Sequence, residues 1–263
     1  VVLTNERANL GSFKRALTAL RGQVTPEDLL VFHFSGHGIV TPNPENGDLN
    51  GLMLMAGAPG KRDLEKGERE ETLDMALLHQ TLRRHGLNTK HTLFILDCCY
   101  SGMALAPRGV RPELNHDLSR QRAVELMLDR KASYVITAGG AKEKVLDGPE
   151  NGNGLLTQFF IDSLKNPLRY EQDLVRIGEH LYLPARRLYD HSLVDIPARA
   201  REIEKSVEER FARKGLSLRN AEDTPDLLQL PQEGRREGEG WVYLPITTAS
   251  LKASSSESGL ASL

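Results

Sequence analysis

The chain has 263 residues, 39% of them hydrophobic and 27% charged, and its 34 basic and 36 acidic residues leave a formal net charge of −2. That balance fits a soluble globular protein of one large or two small domains and excludes a fibre, wholesale disorder and an electrostatic footprint for nucleic acid. No apolar stretch approaches the roughly 20 residues of a membrane helix, and the amino terminus lacks the basic-then-apolar order of a signal peptide, so a cytoplasmic protein without a membrane partner is expected.

From the amino terminus, Leu10, Phe13, Leu17 and Leu20 form the apolar stripe of an amphipathic helix over Arg7 to Leu20, closed by Gly22. A buried strand over Leu29 to Phe34 follows. Residues 41–71 are rich in Pro, Gly, Asn and charge, and predict a long loop excursion holding one short strand at Leu52 to Met55. Met75, Leu78 and Leu82 share a helix face, with Asp74 as N-cap and Gly86 as stop, and this helix feeds a strand over Thr92 to Leu96.

Residues 103–117 lack periodicity, Leu118 to Lys131 predicts a helix, and Tyr134 to Thr137 a further buried strand. Strand, helix, strand alternation implies parallel pairing. Leu155, Leu156, Phe159, Phe160 and Leu164 mark the next helix, opened by the glycine-rich Gly148 to Gly154 and stopped by Asn166-Pro167. Residues 172–214 read as mostly helical, broken at Pro184 and Pro197. The charged run Glu233 to Glu239 reads as solvated loop, Trp241 to Leu244 as a last strand, and the Ser-rich end as a flexible tail. The domain is assigned to 1–245 and the tail to 246–263.

Both cysteines, Cys98 and Cys99, are adjacent, which removes a disulfide framework, and no Cys/His spacing suits structural zinc. The chemistry gathers in two segments, Phe34-Ser35-Gly36-His37-Gly38 and Leu96-Asp97-Cys98-Cys99-Tyr100-Ser101-Gly102. Each follows an apolar strand, so a histidine and a cysteine stand where two core strands end, the placement a Cys/His nucleophilic site needs. The strand period of two puts Asp97 on the face of Cys99 and turns Cys98 to the other side. His33 falls inside its strand and reads as a satisfied core histidine.

These residues resemble the caspase-like cysteine peptidases, in their bacterial metacaspase-like branch. There the histidine lies in Ser-Gly-His-Gly and the nucleophile in Asp-x-Cys-x-Ser-Gly, here Ser35 to Gly38 and Asp97 to Gly102. The second motif sets the register and makes Cys99 the nucleophile. Gly154-Leu155-Leu156-Thr157 is similar to the family's approach to its penultimate helix, and Thr224-Pro225 through Tyr243 to its closing turn and strand. The resemblance implies an α/β fold, a three-layer sandwich with a mostly parallel six-stranded sheet and helices on both faces. It implies peptide-bond hydrolysis without a cofactor, with His37 as general base and acid and the backbone of Gly38 and Cys99 receiving the oxyanion. Asp97 would line the primary pocket and favour Arg or Lys in a protein or peptide substrate.

Calcium activation occurs in some metacaspases, but Glu45, Asp48 and Asp63 are spaced too irregularly for a compact oxygen-ligand loop and read as solvated charge. Family members open with a central strand ahead of the segment that Val1 to Asn5 resembles. The chain shows no such opening, so an upstream segment or regulatory domain is expected to complete the sheet. The alternative function is a caspase-like scaffold or partner-binding domain without turnover, against which the intact Cys/His pair argues.

Overall fold

The computed structural model describes residues 1–43, 47–105, 128–145, 153–177, 179–213, 231–237 and 242–246. Its main sheet is built on strand β5, His91–Asp97, a continuous apolar run in which all seven residues are buried. A strand buried on both faces suits the interior of a parallel sheet. Strand β1, Leu29–Ser35, pairs with it in parallel from Leu29 opposite His91 to Ser35 opposite Asp97. Strand β6, Ala132–Thr137, lies parallel on its other side. The sheet ends in β9, Gln232–Glu237, antiparallel to β6, giving the order β1-β5-β6-β9 among the described residues. The run read as solvated charge thus supplies a strand, and its Glu233 is mostly buried and pairs with Arg186.

Alternation along β5 separates two cores. Leu93 and Ile95 join Tyr134 and Ile136 of β6 beneath Leu156 and Phe159 of helix α4, Leu155–Lys165, and Leu188 of helix α5, Ala185–Arg213. Phe94, Leu96 and Cys98 face the opposite core with Phe13 and Leu17 of helix α1, Leu10–Leu20, and Leu78 and Leu82 of helix α3, Leu78–Arg84. Helices therefore cover both faces of the sheet, as a three-layer sandwich requires. Asn9 caps α1 by accepting from the Ser12 amide at 2.8 Å, and residues 5–7 ahead of it form a separate 3-10 turn.

The excursion after β1 holds more structure than its composition suggests. Strands β2 (Gly38–Pro42), β3 (Leu49–Leu54) and β4 (Thr72–Asp74) form an antiparallel sheet, with helix α2, Lys61–Glu65, between the last two. Asp74 ends β4 and its carboxylate accepts from the amides of Ala76 and Leu77 at 2.7 and 3.2 Å, so it turns the chain toward α3. In the stretch expected to be mostly helical, Val175–Ile177 (β7) and His180–Pro184 (β8) form a hairpin ahead of α5. Pro197 lies inside α5 and does not end it. The last strand, β10, Tyr243–Ile246, pairs antiparallel with β8 in a separate sheet.

Of the six-stranded sheet implied by resemblance, the described residues form four strands, and among them β1 stands at the edge. Its consequence is visible on the strand: Val31, His33 and Ser35 are exposed, while Leu30, Phe32 and Phe34 lean on the α1 core. His33 is accordingly a surface residue of an edge strand, not a core one. The predicted helix at 118–131 falls outside the described residues except at its end, as do Glu45, most of the 103–117 loop, Gly148 to Gly152, Trp241 and the end of the chain beyond Ile246.

Candidate active site

Parallel pairing of β1 with β5 brings the two motif loops together, because both strands run the same way and end at the same level. The Gly36 amide extends the ladder by donating to the Asp97 carbonyl at 3.2 Å. One residue on, the His37 carbonyl accepts from the Leu54 amide at 3.0 Å, which ties the histidine loop to β3. Gly38 then packs directly on the backbone carbonyl of Cys99, so closely that a Cβ at position 38 would overlap that oxygen. Here only glycine allows the approach. His37 itself is exposed, and Cys99 is half-buried.

The cysteine loop is held from the far side by the segment after β6. Val145 donates its amide to Cys99 Sγ at 3.4 Å, and Sγ lies 3.9 Å from the Val145 carbonyl. Tyr100, in the left-handed region at φ 59°, donates its amide to the Glu143 carbonyl at 2.8 Å. A non-glycine residue pays for that conformation, so the surrounding contacts must hold it. Gly102 lies against the backbone of Gly140 and Ala141. None of Val145, Glu143 and their contacts was signalled by periodicity or motif in the sequence.

Cys98 and Cys99 differ as the strand period requires. Cys98 is 1% exposed inside the α1 core, and burial pushes its thiol well above the ordinary range, with the charges of Asp97 and Cys99 adding to the effect. A thiol held protonated there is a small apolar side chain.

Asp97 shares the α4 side of the sheet with Ile95 and is 5% exposed. Its Oδ2 accepts from both the amide and the hydroxyl of Thr157, at 2.8 and 2.6 Å. Helix α4 has no side-chain cap of its own at Gly154, so the Asp97 carboxylate serves as the acceptor for its first turn. Gly154 leaves the room: a Cβ there would overlap Asp97 Oδ2. His33 reaches the same group, with Nε2 2.9 Å from Thr157 Oγ1. Loss of water lowers the His33 pKa from its ordinary value, and the nearby charge of Asp97 opposes that shift. Neither His33 nor Thr157 could be assigned to the site from spacing alone, although Gly154 to Thr157 stood out as a segment.

Of the acidic residues considered for calcium, Asp63 pairs with Lys66 at 3.1 Å on the surface, and Glu45 lies outside the described residues. Among the described residues no group of three His, Cys, Asp or Glu side chains is arranged to hold a metal ion, and no helix is long and apolar enough to cross a membrane.

No curated protein matches the chain. The family model described as the caspase domain, of the C14 peptidases, matches residues 2–206. That stretch includes both motif loops, the strands that carry them and α4. The chain belongs to the caspase-domain family of cysteine peptidases.

Proposed function

We propose that the domain is an endopeptidase in which Cys99 is the nucleophile and His37 the general base and acid, with cleavage after Arg or Lys. The observation that carries this reading is the contact of Gly38 with the Cys99 backbone, which sets the residue after the histidine against the cysteine at the carboxyl ends of β1 and β5. In the proposed reaction His37 takes the Cys99 proton and the thiolate attacks the scissile carbonyl carbon. Backbone amides of Gly38 and Cys99 receive the oxyanion. His37 returns the proton to the leaving amine, and water then hydrolyses the thioester and restores the thiol. The Val145 amide donates to Sγ and helps to orient the sulfur. The cycle balances without a metal or cofactor.

Asp97 supplies the carboxylate for a basic side chain, as in metacaspase-like members. Support comes from its place on the face of Cys99 and from the two donors that fix its orientation. Its service to α4 favours a second role, as a structural anchor of the site, and the two roles make different predictions below. Two free thiols accord with the reducing cytoplasm. The edge of β1, which no strand pairs among the described residues, is proposed to receive a further strand from an upstream segment or regulatory domain.

The test is a panel of fluorogenic peptides with Arg, Lys, Asp or Ala at the cleaved position. Wild type should turn over the Arg and Lys members, and Cys99→Ala and His37→Ala should not. Turnover of the Asp peptide in preference would overturn the specificity. Absence of turnover on all peptides, together with no labelling of Cys99 by an Arg-directed thiol reagent, would favour a scaffold.

A further inference from the structure

His33 lies on β1, four residues before His37 (37 − 33) in the loop that follows the strand, opposite Ile95 in the register and therefore on the side of the sheet that carries Asp97. Its Nε2 is 2.9 Å from Thr157 Oγ1, and that oxygen is 2.6 Å from Asp97 Oδ2. A threonine hydroxyl holds one proton, and an ionised carboxylate only accepts. The hydroxyl proton is therefore committed to Asp97, and the bond from His33 to Thr157 has to be donated by Nε2–H. The chain runs one way, from imidazole through hydroxyl to carboxylate, and it fixes the tautomer of His33 in the neutral ring.

Three elements meet in that chain: edge strand β1, the start of α4 and the end of β5. Thr157 could satisfy its hydroxyl in more than one rotamer, since threonine in a helix divides between two by bonding a carbonyl in the preceding turn. His33 favours the observed rotamer by donating to its hydroxyl oxygen. Both Thr157 donors then converge on one oxygen of Asp97, which sets the plane of the carboxylate.

We propose that His33 is a positioning residue for recognition of the substrate's basic side chain, acting through Thr157 on the orientation of Asp97. This rests on the reading of Asp97 as the recognition carboxylate. Asp97 is oriented by a side chain from the histidine strand, so the geometry of recognition and the placement of His37 are set by one element. Bidentate binding of a guanidinium needs a carboxylate in a defined plane, whereas a lysine ammonium tolerates rotation. The effect of losing His33 is accordingly larger on Arg substrates than on Lys substrates.

Steady-state kinetics on matched Arg and Lys peptides, in wild type, His33→Phe, His33→Gln and Asp97→Asn, test this. His33→Phe keeps the ring shape and removes the donor. It should raise KM for the Arg peptide about five-fold, the order expected for one lost hydrogen bond, with a smaller rise for Lys and kcat little changed. His33→Gln, which can donate from its amide, should recover most of the loss. His33→Met serves the same comparison should Phe prove incompatible with the strand. A wild-type KM in the Phe and Met variants, or equal loss with Gln, overturns the role of His33. Asp97→Asn separates the two layers of the argument. Retained Arg preference in that variant removes the Asp97 reading and this proposal with it, while lost preference beside a wild-type His33→Phe removes only the proposal.

Discussion

Thr157 holds Asp97 by two bonds to a single carboxylate oxygen, from its amide at 2.8 Å and its hydroxyl at 2.6 Å. The residue that precedes the cysteines by one position is thus also the cap of the helix that covers the sheet. Thr157→Val removes the hydroxyl and keeps both shape and amide. A hydrogen bond to a buried charged group contributes about 1.5–3 kcal/mol, and the variant should lose stability on that order. Urea denaturation checks it. A loss below about 0.5 kcal/mol would show that the amide alone suffices to cap α4.

The two cysteines should respond differently to the same change. Cys99→Ala is expected to lower kcat by several orders of magnitude while leaving the denaturation midpoint close to wild type. Cys98→Ala should keep most of the activity and lose about 1 kcal/mol of stability, because it opens a small gap in the core that contains Phe94 and Leu96. Equal loss of activity in both would overturn the register of the motif.

Gly38→Ala tests the contact between the two motif loops. The added methyl would overlap the Cys99 carbonyl, and the nearest alternative neighbour, the Met75 methyl, is 3.0 Å away. The loops must separate, and a misplacement of about 1 Å costs on the order of 100-fold in rate. Activity should therefore collapse in protein that remains folded by circular dichroism. Wild-type kcat in this variant would show that the two loops need not touch.

Stability should fall on mild acidification. His33 and His91 both have pKa values lowered from 6.5 in the folded chain, in each case first by loss of water. The unfolded chain takes up those protons near 6.5, so between that pH and the lower folded values the unfolded state binds more protons. Stability is complete above about 6.5 and is lost as pH falls through the folded values. His91 is 8% exposed and its Nε2 donates to the Arg130 carbonyl at 3.0 Å. It contributes at most about 1.4 kcal/mol per pH unit within the window. His91→Gln should flatten the profile measured between pH 5 and 7.5, and an unchanged slope would assign the effect to other groups.

The edge of β1 that no strand pairs among the described residues predicts hydrogen-exchange behaviour. Val31 on this edge is 41% exposed, beside backbone groups that no strand pairs among the described residues. Amides of Leu29 to Ser35 that point away from β5 should exchange rapidly in residues 1–263 and become protected when an upstream strand-forming segment is supplied, attached or as a separate peptide. Protection already complete in 1–263 would mean that the edge is satisfied by other means.

The strands that carry the motifs were legible because burial on both sides writes a continuous apolar run: Thr92 to Leu96 lies inside β5, and Tyr134 to Thr137 inside β6. The period of two then placed Cys98 in the core, where it is found. The sheet of β2, β3 and β4 was not legible beyond Leu52 to Met55, since its strands are short and lie among Gly, Pro and Asn. β9 was hidden by its charge, and the β7–β8 hairpin by the shortness of its strands, which carry strand-favouring Val175, Ile177 and Tyr182 but abut a long helix-forming run. Within the site, Val145 and Thr157 contact Cys99 and Asp97 from 46 and 60 residues away, a distance in sequence that no local pattern encodes.

Gly102 and Gly154 extend the consequence of Gly38. A Cβ on Gly102 would stand 2.5 Å from the Gly140 carbonyl carbon, and one on Gly154 would overlap the Asp97 carboxylate. The first obstacle is backbone, and the second is a carboxylate held in place by two bonds from Thr157. Under random mutagenesis both positions should be as intolerant as Cys99 itself, yet their failures should appear as lost protein where those of Cys99 appear as lost turnover. Pairing an abundance screen with an activity screen would sort the residues of these loops into those that hold the chain and those that do the chemistry.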